Sequence, residues 1–169
     1  MQVYKPIIMA IDGACFGAGT LLVNSLADIV IATPKTRFGL MEIRWAVGGT
    51  NAAPQMRWQL PWRIGMDMIL TGRQMEADEA LRYGFINRIV PTDELMSAAM
   101  TVAEDIASLP TLNLQAAKRM AYVSREVPMP YARLIGSLLG GYVGDTEDAS
   151  EGVRAFVEKR KPKYTGRLK

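Results

Sequence analysis

The chain has 169 residues, 49% of them hydrophobic and 22% charged, with a formal net charge of +3. This balance is typical of one globular domain that buries most of its apolar surface, and it argues against a disordered chain. The sequence contains no histidine, which excludes Ser-His-Asp and Cys-His catalysis and every His-ligated metal site, and its single cysteine, Cys15, excludes an internal disulfide. Acid–base chemistry must therefore fall to carboxylates, Lys, Tyr or the backbone.

The apolar segments limit where the protein can reside. Residues 7–11 and 29–32 are strongly apolar, but both segments are too short to cross a bilayer. The N-terminus lacks the charged-then-apolar layout of a signal peptide. We therefore expect a cytoplasmic protein or a mature organellar form, without a membrane partner.

The front of the chain alternates between strand and helix patterns. The apolar run at residues 7–11 predicts a buried strand that stops at the Asp12-Gly13 turn. A glycine turn at residues 17–19 precedes a predicted buried helix over residues 20–27, and a second strand is predicted at residues 29–32. Strand, glycine turn, helix and strand in this order indicate an α/β protein with mainly parallel pairing.

Glycines and prolines mark the ends of the later elements. Residues 48–51 predict a loop, and residues 52–60 are compatible with a helix because Pro54 would lie in its first turn. The remaining elements before residue 92 are helices over residues 64–70 and 77–83, ended by Gly72 and Gly84, and a strand over residues 85–90, stopped by Pro91. From residue 92 onward the apolar spacing predicts only helices, over residues 93–109, 112–124, 131–139 and 148–160.

Five segments stand in an order that is typical of one family. They are residues 5–19 (KPIIMAIDGACFGAG), 27–32 (ADIVIA), 38–43 (FGLMEI), 70–72 with 79–91 (LTG and EALRYGFINRIVP), and 155–164 (AFVEKRKPKY). Together they resemble the crotonase superfamily, the enoyl-CoA hydratase/isomerase family, over its C-terminal two-thirds.

The resemblance implies a fold, a substrate class and an assembly. The implied fold is α/β, with a crotonase-like ββα spiral core over residues 1–91, incomplete at its N-terminus, followed by an all-helical trimerisation region over residues 92–169. The implied substrate is a coenzyme A thioester, with no cofactor and no metal, and the implied assembly is a homotrimer or homohexamer.

The sequence departs from the family pattern at two places. The usual glycine-rich run is replaced at residues 48–55 by GGTNAAPQ, which alters the expected acyl pocket. Family members also carry further strand-helix turns before the Lys5-Pro6 strand, and those turns supply half of the oxyanion hole and much of the CoA surface. We therefore expect that the chain is a fragment, that a separate polypeptide completes it, or that the protein does something else.

Matched to the family residue by residue, the glycine turn implies an oxyanion hole. The backbone N–H of Ala18 takes the place of the family's donor, and Gly17 and Gly19 let the backbone approach the thioester. Hydratases of the family use two glutamates, of which the second is matched by Glu42. The first falls on a leucine, either Leu21 or Leu22 depending on the direction of counting.

A single carboxylate favours one reaction of the family over the others. Leucine can neither accept a hydrogen bond from water nor carry a proton, so efficient water addition is disfavoured. One glutamate over an enolate can remove a proton from one carbon and return it to another. The resemblance therefore implies an isomerase-like enzyme that shifts a double bond, with Glu42 as the base.

Two alternatives stay open. One is a hydratase or hydrolase of the same fold that recruits Thr50, Asn51 or Gln55 to hold the water. The other is a non-catalytic member that binds acyl-CoA, or that uses its basic tail as an assembly or RNA-binding surface. Residues 153–169 hold seven Lys or Arg against one acid, which fits a solvated end better than a nucleic-acid site.

Overall fold

The computed structural model describes residues 3–48, 50, 56 and 58–167. The chain forms two compact units, one of Ile7–Ala103 and one of Glu104–Lys169 together with Met1–Pro6.

These units differ from the predicted ranges 1–91 and 92–169 in two respects. The division falls inside the helix Leu95–Ala107 rather than after Pro91, and the described residues before Ile7 group with the helical unit. The buried residues of that helix, Leu95, Ala99 and Val102, all precede the division.

The described residues of the first unit contain six strands in two three-stranded sheets. The strands are β1 (Ile8–Ile11), β2 (Ala14–Phe16), β3 (Ile29–Ala32), β4 (Arg37–Gly39), β5 (Gln74–Glu76) and β6 (Arg88–Ile89). One sheet has the order β1-β3-β6 with parallel pairs. The other has the order β2-β4-β5, in which β2 and β4 are parallel and β4 and β5 antiparallel. The predicted strands at residues 7–11 and 29–32 are confirmed, whereas β2, β4 and β5 were not predicted.

The predicted strand over residues 85–90 was too long. The N–H groups of Phe85 and Ile86 donate to the carbonyl of Ala80, so these residues close a helix instead of joining the sheet. Pairing with β3 begins only where the Asn87 N–H donates to the Val30 carbonyl, at 2.9 Å.

Seven α-helices and two 3₁₀ helices occur in the described part of the chain. The α-helices are α1 (Ala18–Leu26), α2 (Trp62–Thr71), α3 (Ala77–Arg82), α4 (Leu95–Ala107), α5 (Thr111–Glu126), α6 (Met129–Gly144) and α7 (Glu147–Val157). The 3₁₀ helices are Met41–Trp45 and Thr92–Glu94. The left-handed caps predicted at Gly72 and Gly84 are confirmed. The helix considered at residues 52–60 lies largely outside the described residues.

The core of the first unit fixes the strand that leads to the candidate site. Phe38 of β4 is fully buried and meets Phe85 edge-to-face, with ring centroids 5.1 Å apart. Met68 of α2 and Met75 of β5 are also fully buried in this core. Because β4 is only three residues long, this packing sets the point at which the chain leaves the sheet.

The helical unit fastens its C-terminal segment to the start of α7. The Thr146 hydroxyl caps this helix by accepting the Ala149 N–H at 3.1 Å. Asp148 is buried and accepts the N–H groups of Thr165 and Gly166, at 2.6 and 2.9 Å.

The helices predicted after residue 92 are confirmed, while their role in trimerisation stays a prediction. In the described residues, we find no helix with the length and apolar character needed to cross a membrane.

Candidate active site

The ends of two parallel strands bring the predicted site residues together. Phe16, the last residue of β2, is the register partner of Gly39, the last residue of β4. Parallel neighbours end at the same edge of a sheet, so the chain after β2 and the chain after β4 emerge side by side. The first continues into the glycine turn and the second into the 3₁₀ helix Met41–Trp45. The Gly17 N–H joins them by donating to the Gly39 carbonyl at 2.8 Å.

The glycine turn presents the start of α1. Gly17 precedes the helix with φ 55° and ψ −119°, and α1 begins at Ala18. The first N–H groups of a helix have no acceptor within the helix, and the peptide dipoles make this end partly positive. Ala18 is exposed at this position, and the first turn carries no acidic side chain. The Ala18 N–H is therefore suited to hold a negatively charged oxygen.

The third residue of this turn packs tightly over β2. A Cβ atom on Gly19 would lie 3.2 Å from the Cys15 sulfur, which leaves little room for a side chain. Burial raises the pKa of the Cys15 thiol, so the thiol stays protonated at neutral pH. Cys15 thus serves as packing beneath the turn rather than as a nucleophile.

The carboxyl group of Glu42 lies against the same turn. Its Oε1 is 3.0 Å, and its Cδ 3.7 Å, from the point where a Cβ on Gly17 would stand. Its Oε2 is buried and has no hydrogen-bond partner in the described residues. A buried polar atom without a partner is costly in free energy and is a feature of sites that await a ligand. A potential proton acceptor and the start of α1 are therefore adjacent.

The segment that carries Glu42 is anchored to the end of α2. The Arg44 Nε donates to the Thr71 carbonyl at 2.9 Å. The aliphatic part of Arg44 covers Gly72 so closely that a Cβ there would lie 2.9 Å from Cγ. On the other side, the Glu42 carbonyl accepts the Val47 N–H at 3.1 Å, which closes the 3₁₀ helix. The backbone around Glu42 is thus held from both sides.

An ion-pair cluster holds the end of α2 in turn. Arg73 makes a two-pronged contact with Glu79, at 2.7 and 2.8 Å, and also contacts Asp67. The side chains of Arg73 and Glu79 are each 27% exposed. Hydrogen bonding from Arg73 lowers the pKa of the Glu79 carboxyl below its ordinary value of 4.5 and raises the pKa of Arg73. The pair therefore favours the charged form of both groups.

We expect Arg73→Met to lower the free energy of unfolding at neutral pH by about 1 kcal/mol. The folded-state pKa of Glu79 is depressed, so this stabilisation is complete above pH 4.5 and is lost as the pH falls through the folded value. In urea unfolding, the difference in the free energy of unfolding between wild type and Arg73→Met should therefore become smaller below pH 4.5. Arg63→Met, at an exposed position of α2, is the matched control. A difference that grows as the pH falls would contradict this prediction.

Comparison with known proteins identifies the family. A model of the enoyl-CoA hydratase/isomerase family matches residues 1–167. The chain belongs to the enoyl-CoA hydratase/isomerase family. It is 38% identical over 167 residues to the (E)-benzylidenesuccinyl-CoA hydratase of Thauera aromatica, covering 98% of this chain and 65% of that one. It is 36% identical over 171 residues to the carnitinyl-CoA dehydratase of Salmonella typhi, covering 96% and 64%.

Solved structures of the family support the same assignment. An enoyl-CoA hydratase/isomerase from Mycobacterium paratuberculosis has a TM-score of 0.92 and 32% identity, over 97% of this chain and 65% of that one. The family membership predicted from the sequence motifs is therefore confirmed, as is a crotonase-like α/β fold with many helices. The chain spans just under two thirds of the length of the curated relatives it matches.

Within this crotonase framework, the structure brings together all four residues predicted for the site. Gly17, Ala18 and Gly19 form the turn, and Glu42 lies beside it. Their catalytic roles stay predictions.

The other positions weighed from the sequence fall in different places. Leu21 packs against the core, and Leu22 is 50% exposed. Because both residues are leucine, neither position supplies a second carboxylate. Thr50 is exposed, while Asn51 and Gln55 lie outside the described residues. Among the described residues, no group of three or more Cys, Asp or Glu side chains is arranged to hold a metal ion.

Proposed function

We propose that the protein is an acyl-CoA enzyme that moves a proton at the carbon next to a thioester carbonyl. Glu42 is the acid and base, and the Ala18 N–H is a donor to the thioester oxygen. The observation that carries this proposal is the Glu42 carboxyl group against the start of α1, with one buried oxygen lacking a partner in the described residues. Gly17 and Gly19 give the thioester access to the backbone of the turn.

The chemistry requires one proton acceptor and one stabilised negative charge. Glu42 takes the proton from C2 of a 3-enoyl thioester, and the C–H electron pair forms a C1–C2 double bond while the carbonyl π pair moves onto the thioester oxygen, which gives a dienolate. The Ala18 N–H and the positive end of α1 stabilise the charge on this oxygen. When the carbonyl re-forms, the C1–C2 pair becomes the C2–C3 double bond and the C3–C4 pair takes up the proton at C4. Glu42 returns this proton, so atoms and electrons balance without water.

The absence of a second carboxylate on α1 favours this double-bond shift. Residues 13–27 contain no Asp or Glu, and the two candidate positions for a second glutamate are Leu21 and Leu22. A leucine cannot orient water or carry a proton. The single carboxylate of Glu42 is sufficient for proton relocation.

Water addition or removal is the second candidate reaction. It is favoured by the relatives, one named a hydratase and the other a dehydratase. In this chain the water would have to be held by Glu42 with a non-carboxylate partner, for which Thr50, Asn51 and Gln55 are the candidates.

Isotope labelling separates the two reactions. The full-length protein is incubated in ¹⁸O-labelled water with a 3-enoyl-CoA and, separately, with a 2-enoyl-CoA. The proposed isomerase converts the first to the 2-enoyl thioester and incorporates no ¹⁸O. A hydratase would form ¹⁸O-labelled 3-hydroxyacyl-CoA from the 2-enoyl substrate and would leave the 3-enoyl substrate unchanged. Binding of both thioesters without turnover would contradict both reactions and favour a non-catalytic acyl-CoA-binding member.

We also propose a homotrimer or homohexamer, on the basis of the family resemblance and one face of α6. Tyr131, Leu134, Leu138 and Tyr142 follow the spacing of a single helix face and are 63%, 60%, 68% and 52% exposed in the isolated chain. Covering such a face with another copy removes apolar surface from water.

Leu138→Asp is expected to convert the assembly to monomers, because a carboxylate buried without a partner is strongly unfavourable. Light scattering during size-exclusion chromatography gives the mass directly. Ser137→Asp places the same charge on another exposed side of α6 and should leave the mass unchanged. A wild-type protein that elutes as a monomer would refute the proposed assembly.

A further inference from the structure

The side chain of Thr20 connects the two halves of the candidate site. We propose that Thr20 is a positioning residue, whose hydroxyl holds the Ala18 turn at a fixed distance from the segment that bears Glu42. The inference rests on the proposed function, since it assumes that these two groups act together.

Thr20 lies in the first turn of α1 and is completely buried. Its Oγ1 is 2.6 Å from the carbonyl oxygen of Cys15, in the middle of β2. The same Oγ1 is 3.1 Å from the backbone nitrogen of Gly39, the last residue of β4, and 3.1 Å from the Gly39 carbonyl oxygen. One hydroxyl therefore touches both strands that deliver the site.

The capacity of a hydroxyl assigns a direction to these contacts. Threonine has one proton to donate and two lone pairs to accept with. The shorter contact assigns the proton to the Cys15 carbonyl, which leaves Oγ1 to accept the Gly39 N–H. The Gly39 carbonyl in turn accepts the Gly17 N–H at 2.8 Å. Both backbone polar groups of Gly39 are thus bonded to the start of α1.

Gly39 is three residues before Glu42, so these bonds fix where the base-bearing segment begins. The Glu42 Oε1 lies 3.0 Å from the point where a Cβ on Gly17 would stand, so the segment that begins at Gly39 carries the carboxyl group directly against the glycine turn. A displacement of about 1 Å between reacting groups can lower the rate by about a hundredfold. Loss of the Thr20 hydroxyl would leave the Gly39 N–H buried without its acceptor and allow the end of β4 to move.

Two substitutions separate the hydroxyl from the shape of the side chain. Thr20→Val keeps the volume and removes the hydroxyl, whereas Thr20→Ser keeps the hydroxyl and removes the methyl group. In the full-length protein we expect Thr20→Val to lower kcat by about tenfold to a hundredfold, with KM changed less than about threefold. Thr20→Ser should retain most of the wild-type kcat.

Amide hydrogen exchange provides a readout that does not depend on turnover. Exchange at the Gly39 N–H should accelerate in Thr20→Val but not in Thr20→Ser. A wild-type kcat in Thr20→Val would overturn the inference. Equal losses of kcat in Thr20→Val and Thr20→Ser would also overturn it, because they would indicate that the methyl group acts through packing. Thr20→Ala serves if Thr20→Val does not fold, and wild-type kcat in that variant would overturn the inference equally.

Glu42→Gln distinguishes failure of this inference from failure of the proposed function. If Glu42→Gln loses turnover while Thr20→Val retains it, only the positioning role is wrong. If Glu42→Gln keeps full turnover, the proposed function itself is wrong, and with it the assumption on which the positioning role rests.

Discussion

Glu42→Gln is expected to lower kcat by about 10²–10⁴-fold with little change in KM. The amide has nearly the same shape as the carboxylate but cannot take up a proton. Because Glu42 is only half-buried and its Oε2 has no partner in the described residues, the substitution should leave the fold intact. Initial rates with the substrate identified by the labelling experiment measure the effect.

Glu104→Gln is the matched control for this substitution. Glu104 is exposed on α4, so the same change of charge there should leave both kcat and KM unchanged. Thermal unfolding of the three proteins checks that any loss of rate is not a loss of fold. Wild-type kcat in Glu42→Gln would exclude this residue as the base.

Gly17→Ala is expected to lower kcat by up to about a hundredfold. The residue has φ 55° and ψ −119°, a backbone conformation that glycine adopts readily, whereas a residue with a Cβ is strained there by about 1–3 kcal/mol. The added carbon would also stand 3.0 Å from the Glu42 Oε1 and 3.7 Å from its Cδ. The carboxyl group must then shift by a few tenths of an ångström, which displaces the base relative to the start of α1.

Gly13→Ala separates strain from displacement of the carboxyl group. Gly13 also has a positive φ, 80°, but no described atom lies within 4 Å of its Cβ position. We expect both variants to lose stability in denaturant unfolding because of the positive φ, while only Gly17→Ala loses kcat. Equal kcat in the two variants would show that the contact between Gly17 and Glu42 has no part in catalysis.

The elements with a strong local pattern could be predicted from the sequence. The apolar, β-branched run at residues 29–32 matches β3 residue for residue, and Gly72 ends α2 in the predicted left-handed conformation. The position and type of such elements are determined mainly by residues that are close to them in the sequence. Strands β2, β4 and β5 have three residues each, too few to show an alternation of apolar and polar residues.

The candidate site shows the same limit. The family resemblance pointed to Gly17, Ala18, Gly19 and Glu42, but their distances depend on the parallel register of Phe16 with Gly39, which no local pattern specifies. Thr20 was predicted only as part of a buried helix. Its hydroxyl acquires a role because the N–H of a residue nineteen positions later lies opposite it, and only the fold establishes that contact.

Arg44 was missed for a similar reason. It lies two residues after Glu42 and looks like an ordinary surface cation in the sequence. The structure places its side chain over Gly72 with a hydrogen bond to the Thr71 carbonyl. A glycine that ends a helix predicts the cap itself, but it does not predict which distant side chain covers it.

Hydrogen exchange at C2 of a saturated acyl-CoA tests the central claim most directly. A saturated thioester has no double bond to shift or hydrate, so exchange at C2 requires only a base and a stabilised enolate. In deuterium oxide, NMR should show label entering C2 with wild type and with Glu104→Gln, but not with Glu42→Gln. Undiminished exchange in Glu42→Gln would contradict the assignment of Glu42 as the residue that removes the proton.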